Sequence, residues 1–195
     1  MSTALIVIDM QNAFLHPDGE NYYLAVRDVI APAKELLAQA ETSRTVIVHV
    51  GDIHRDGFTD FEQKHLPVHS IAGTFNARYF DGFGPKGRAR EIEIVKRRYS
   101  ALFATDLALF LAEQGITSVV ICGVKTNVCV RATSQDAFAH GLAVNVVRAR
   151  SIPTANIWVT PPLRISKEIW AVSSAKVKRW RCWHEPTCGD RICQP

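Results

Sequence analysis

Val119-Val120-Ile121-Cys122-Gly123-Val124-Lys125-Thr126-Asn127-Val128-Cys129-Val130 is the stretch that decides the fold. Residues 119–122 are a continuous apolar, β-branched run, as expected of a strand buried on both faces, and Gly123 marks its turn. Thr126 or Asn127 can then cap a helix carried by Val130, Thr133, Ala137 and Phe138 and ended by Gly141. This strand-turn-helix unit sets Cys129 in a first helical turn. Unpaired N–H groups and the positive end of the helix dipole there favour thiolate, so the sequence predicts a thiol lowered from about 8.5. On this segment alone, a small cysteine packing helix against sheet fits equally well.

Similar apolar runs recur at residues 5–8, 46–50, 92–95 and 143–147. Helical spacing fills the gaps: Val29, Ala33, Leu36, Leu37 and Ala40 share one face, and Leu107, Phe110 and Leu111 another, capped by Thr105 and stopped by Gly115. Alternation of this kind predicts a three-layer α/β/α domain with a mainly parallel sheet. Crossovers between parallel strands are right-handed, so ligands bind beyond the carboxyl ends of the strands. Asp9, Lys96 and Cys129 each follow a strand, so a carboxylate, an ammonium and a thiol far apart in sequence can converge on that edge. Singly, Asp9 also reads as a turn cap and Lys96 as a solvated strand end. Together they compose a nucleophile, a proton acceptor and a cation that holds the acceptor charged.

Composition narrows the alternatives. The chain has 195 residues, 47% hydrophobic and 22% charged, as suits one globular domain. Its net charge of +4 falls largely in roughly the last fifty residues, and the body lacks a basic patch with interleaved aromatics, which argues against nucleic acid as a partner. No apolar run approaches the roughly 20 residues that span a bilayer, and the start carries no basic leader. Five cysteines, an odd number, argue for reduced thiols and a cytoplasmic location.

Three ordered motifs carry a resemblance. Ile8-Asp9-Met10-Gln11-Asn12-Ala13-Phe14, Lys96-Arg97-Arg98-Tyr99-Ser100-Ala101-Leu102-Phe103 and Gly123-Val124-Lys125-Thr126-Asn127-Val128-Cys129-Val130 resemble the D-x-Q-x-D-F, K-x-x-Y-S-x-F and G-V-x-T-x-x-C-V blocks of the isochorismatase-like cysteine hydrolases, which include nicotinamidases. The resemblance implies a Rossmann-like sheet and hydrolysis of a small amide through a thioester. Nicotinamide-like compounds stand first as substrate and carbamoyl or ureido amides close behind. It implies Asp9 as general base and acid, Lys96 as its partner and Cys129 as nucleophile. It further implies a cis peptide before Lys125, an oxyanion hole from the N–H groups of Lys125 and Cys129, substrate contacts from Gln11, Phe14, Leu66 and Tyr99, and a homo-oligomer. Ala13, Leu66 and Leu102 depart from the pattern: they stand where relatives place an acid, a ring-stacking aromatic and another aromatic.

Asp52-Ile53-His54, Asp60-Phe61 and Leu66-Pro67-Val68-His69 resemble the nicotinamidase metal segment. Asp52, His54, Asp60 and His69 are the implied ligands of one divalent ion, Zn, Mn or Fe. A polar surface loop whose histidines bind nothing is the other reading.

The pattern breaks near residue 149. All four tryptophans (158, 170, 180, 183) and three cysteines (182, 188, 193) follow it, and the expected acidic residue, Glu-His pair and last helix are missing. The cysteine spacing fits no common zinc site. Regrouping codons from the third base of each residue lets 155–158 encode Glu-His-Leu and 164–172 a helical, charged run. The sequence therefore divides into a hydrolase domain, 1–148, and an anomalous tail, 149–195, expected to be out-of-frame and poorly packed.

Overall fold

A computed structural model describes residues 2–147. The anomalous tail expected at 149–195 lies outside the described residues. Five strands, β1 (Thr3–Ile8), β2 (Val46–Asp52), β3 (Glu91–Lys96), β4 (Ser118–Gly123) and β5 (Ala143–Val146), form one sheet in the order β3-β2-β1-β4-β5, and every pairing is parallel. The predicted strands are all present. The order places β1 at the centre, so the end of β1 faces the ends of β2 and β4.

Side chains of β1 alternate between two cores, as the period of a strand requires. Ala4, Ile6 and Ile8 join Val48, Val50, Ile94, Leu107, Leu111, Ile121, Val130 and Ala137 on one face. Leu5 and Val7 join Ile47 and Cys122 on the other, under Val29, Ala33, Leu37 and Ala40. After the short helix α1 (Asn12–Leu15), α2 (Arg27–Thr42) therefore covers one face, and α3 (Leu107–Glu113) and α4 (Arg131–Ala139) the other. The three-layer expectation holds. No helix among the described residues is long and apolar enough to cross a membrane.

The helix after β4 departs from the expectation. Thr126–Val130 winds as a π-turn, and α4 begins only at Arg131. Neither Thr126 nor Asn127 caps it. Lys125 C=O instead accepts the N–H groups of Val128 (3.0 Å) and Val130 (3.3 Å), a wide turn of the kind that recurs at functional sites. Phe138 is 48% exposed, so the buried face consists of Val130, Thr133, Ser134 and Ala137. Gly123 has φ +129, and a Cβ there would fall 2.1 Å from Ile8 O. Only glycine lets β4 pass so close to the end of β1.

One buried charge cluster lies away from this edge. His49 Nε2 sits 2.9 Å from Glu91 Oε1, both side chains nearly inaccessible, and Arg88 pairs with the same carboxylate. Burial holds His49 below its ordinary value. Burial would raise Glu91, but the N–H groups of Lys86 and Arg88, the Arg88 guanidinium and His49 overcome it and hold the acid at about 2. Both groups are thus depressed by folding, so each stabilises above its unfolded pKa and loses that contribution as pH falls. For His49 the loss sets in below about 6.5, and for Glu91 between about 4.5 and about 2. The urea midpoint of the wild type should therefore fall more steeply between pH 6.5 and 5 than that of His49→Gln. Parallel curves would contradict this.

Candidate active site

β1 ends at Asp9, whose φ of +53 is a conformation that a residue bearing a Cβ seldom adopts. Its N–H donates to Val50 O at 2.9 Å and its C=O accepts from Gln11 N at 2.8 Å, so sheet and turn together hold the bend. Backbone outliers of this kind cluster where function demands a direction. Here the bend places the carboxylate beside Lys96, the last residue of β3. Lys96 Nζ lies 3.0 Å from Asp9 Oδ2 and donates to Cys129 Sγ at 3.6 Å. Lys96 is 1% exposed and Asp9 wholly buried, which rules out the solvated strand end and the surface cap. The predicted convergence is present.

The predicted thiolate is not. Burial, and then the Asp9 carboxylate beside it, push the Cys129 thiol up against the opposing pull of Lys96. The helix-dipole argument fails because Cys129 sits in a closed π-turn and is buried, where desolvation of the anion outweighs a partial charge. Burial also raises Asp9, against Lys96 and with Asp52, to about 6. Burial alone would lower Lys96, but Asp9, Cys129 and Asp52 together raise it. The resting site therefore pairs a neutral thiol with a carboxylate and an ammonium near neutral pH. The second thiol, Cys122, is pushed up to about 12 by burial alone and has no charged neighbour.

The Val124–Lys125 peptide is cis, as the resemblance implies. The Lys125 ammonium stands 5.9 Å from the centre of the Phe14 ring and 5.7 Å from that of Tyr23, within cation–π range. Phe14 belongs to the core under α2. Gln11, implied as a substrate contact, is committed to main chain: its Nε2 donates to Asp52 O (3.0 Å) and Ala77 O (2.8 Å), and its Oε1 accepts from Asp52 N (2.8 Å). Both amide hydrogens are used, so Gln11 locks the end of β2 to the end of β1. Leu66 and Tyr99 lie on an open cavity of about 360 Å³ with Glu62, Arg98, Ser100 and Phe103; Asp9, Lys96 and Cys129 are not among its lining residues.

The second cluster begins at the same edge. Asp52 ends β2, and its Oδ1 is 3.5 Å from Lys96 Nζ, which joins the two groups. Asp52 Oδ1 lies 3.5 Å from His54 Nε2, and its Oδ2 3.3 Å from His69 Nε2. Pairing between His54 N–H and Ser70 O (3.0 Å) and between Ala72 N–H and His54 O (2.8 Å) draws the His69 segment alongside. Glu20 braces that segment by accepting Ser70 N–H at 2.6 Å. Asp52 raises both imidazoles, His69 to about 9, while the two imidazoles and the Lys96 ammonium beside it overcome the burial of Asp52 and hold that acid low.

Potential ligand atoms of Asp52, His54 and His69 all lie within 4.8 Å of one another. His54 Nε2 is buried without a hydrogen-bond partner. An orphaned imidazole nitrogen facing a carboxylate and a second imidazole fits a divalent cation. Asp60 falls outside the group: its Oδ2 is 3.2 Å from the other nitrogen of His54, Nδ1, and its Oδ1 accepts from Arg98 Nη1 at 2.6 Å. The motif places Asp60 in the right neighbourhood, but the loop turns it to the outer side of the ring. Glu62 and Arg98 went unnoticed in the sequence. The Asp60-x-Glu62 spacing was the available signal for the first; nothing marked the second.

Comparison with known proteins agrees with this geometry. A profile of the isochorismatase domain matches residues 3–149. A maleamate amidohydrolase of Pseudomonas putida is 31% identical over 150 residues, 74% of this chain and 70% of that protein. A probable inactive nicotinamidase of Arabidopsis thaliana is 33% identical over 147 residues, 71% of this chain and 74% of that one. The crystal structure of the pyrazinamidase of Pyrococcus horikoshii in complex with zinc superposes with a TM-score of 0.66 at 32% identity, covering 75% of this chain and 83% of its own. The strand order, the buried carboxylate, ammonium and thiol, and a domain profile that matches residues 3–149 make this chain a member of the isochorismatase family of hydrolases.

Proposed function

We propose that the protein is a cysteine amidohydrolase that cleaves the C–N bond of a small amide, with Asp9, Lys96 and Cys129 as catalytic residues. The observation that carries this reading is the placement of one buried ammonium 3.0 Å from Asp9 and 3.6 Å from the Cys129 sulfur. Asp9 takes the thiol proton as Sγ attacks the amide carbonyl carbon. The N–H groups of Lys125 and Cys129 receive the oxyanion, each such donor contributing about 3 kcal/mol in the transition state. Asp9 returns the proton to the departing nitrogen as the C–N bond breaks, which leaves a thioester and a free amine or ammonia. Water then gives a proton to Asp9, attacks the thioester and releases the carboxylic acid, and the thiol is restored. Lys96 keeps Asp9 in its basic form and offsets charge as it develops on sulfur.

Asp52, His54 and His69 are the residues that would hold a divalent metal. Such an ion supplies a Lewis acid able to anchor a substrate heteroatom. The neighbouring cavity of about 360 Å³, with Leu66 and Tyr99 on its wall, suits a small substrate. The amides named for relatives, maleamate and nicotinamide, are of that size, and a carbamoyl or ureido amide is the next class.

The test is ammonia release from nicotinamide, maleamate and carbamoyl amides, with intact-mass detection of an acylated Cys129. Release from at least one, with the adduct on that cysteine, is expected. An inert member is the second reading, favoured by the neutral, buried thiol and by the relative described as probably inactive; release from none of the three and no adduct would establish it.

A further inference from the structure

The neighbouring cavity is walled largely by the apolar carbon of Phe61, Leu66, Tyr99 and Phe103, and Arg98 stands on the same wall. Arg98 follows Lys96 by two residues, so their Cα atoms lie at most about 7 Å apart. Tyr99, beside it, is close enough to Cys129 and Lys96 for their charges to act on it. The guanidinium is held in place by the protein itself. Its Nη1 donates to Asp60 Oδ1 at 2.6 Å and to Arg97 O, and its Cζ stands 6.0 Å from the centre of the Phe61 ring. Asp60 is fixed in turn, since its other oxygen faces His54 Nδ1 at 3.2 Å. Both Nη1 hydrogens are thereby engaged, whereas Nε and Nη2 have no hydrogen-bond partner among the described residues. Those two nitrogens form the side-on fork of an arginine, whose parallel N–H bonds match the two oxygens of a carboxylate. The side chain is 35% exposed, so the fork can be reached from solvent. Two acids share the wall, Glu62 and Asp136. Burial and the Asp52 carboxylate push Glu62 up toward its neutral form, which lessens its repulsion of an anion. Asp136, on α4, forms no ion pair with Arg98.

We propose that Arg98 is a specificity-determining residue and that the preferred substrate is a small amide bearing a carboxylate, which the Nε–Nη2 edge of Arg98 receives while the amide carbonyl lies at Cys129. This assignment rests on the amidohydrolase reading and deepens it by naming the charge of the substrate. A guanidinium has donors on more than one edge, so Arg98 serves Asp60 and a ligand at once. Because Asp60 and Phe61 order the fork before binding, little side-chain freedom is lost when the carboxylate arrives. A carboxamide in the same place offers the fork one acceptor where it needs two, and turns an N–H donor toward donors. A site built around such a fork therefore rejects the neutral analogue.

Calorimetric titration of the full chain carrying Cys129→Ala, which removes turnover, tests this with two matched pairs: maleamate against maleamide, and succinamate against succinamide. Within each pair a carboxylate is exchanged for a carboxamide of the same size. At least one of the two acids is expected to bind about tenfold or more tightly than its diamide. Adding Arg98→Met should bring that ratio to within about twofold of unity. A merely structural loss would weaken both members of a pair alike and leave the ratio intact. Arg98→Lys, which keeps the charge beside Asp60 but not the fork, should cut the preference at least about threefold. Equal binding of acid and diamide, binding of none of the four, or a preference unchanged in either variant overturns the proposal. Amide hydrolysis is judged separately, by ammonia release and the Cys129 adduct in the wild type. A charge preference without either would keep Arg98 as a carboxylate-binding residue and overturn the amidohydrolase reading alone.

Discussion

Cys129→Ala should lower kcat/KM for amide cleavage by at least about 10⁴-fold with little change in stability, because the sulfur is the only atom of the site that becomes bonded to the substrate. The alanine leaves Asp9 paired with Lys96, so the fold keeps its buried ion pair. The pH dependence of the wild type follows from the same geometry. With the thiol raised and Asp9 held at about 6, the competent form has neutral sulfur beside an ionised carboxylate. Below about 6 Asp9 is protonated and no base remains; above it the base is present. The profile of kcat/KM should therefore rise through about pH 6, and a profile that climbs only above 8 would mean that the thiol loses its proton without Asp9. Amide cleavage that survives in Cys129→Ala would show that the sulfur is not the nucleophile.

Lys96→Met should damage both activity and stability. The ammonium is buried between Asp9, Asp52 and Cys129, and without it two carboxylates face each other in a dry site. Removing one partner of a buried ion pair costs about 3–5 kcal/mol, a large share of the roughly 5–15 kcal/mol that holds a domain of this size together. Asp9 would then rise well above 6, because the opposing charge is gone while burial and Asp52 remain. Activity should fall by about 10²–10³-fold at pH 7, with part recovered at higher pH as Asp9 ionises. Urea denaturation and a pH–rate profile of the same variant separate the two effects. A variant with the wild-type profile would show that Lys96 acts on packing alone.

Much of this was legible from residue order. The short, turn-bounded runs of β-branched residues read as strands of a doubly covered parallel sheet, which buries such runs on both faces, and polar residues just past their ends then lie on one edge. Asp9, Lys96 and Cys129 could be picked out on that ground, and Asp52, His54 and His69 by motif. The errors share a cause. The ionisation of Cys129, the job of Gln11 and the side of His54 that Asp60 takes all depend on what comes near from distant sequence. Gln11 meets residues 52 and 77, Asp60 meets residue 98, and the thiol meets residues 9 and 96.

Sequence alone determined the alternation of strands and helices, and with it the edge on which chemistry must occur, because hydrophobic period and the handedness of crossovers are local properties of the chain. Tertiary structure alone decided the protonation of that edge. Burial sets the cost of each charge and neighbouring carboxylates set its sign, and neither exists until β1, β2, β3 and β4 lie side by side.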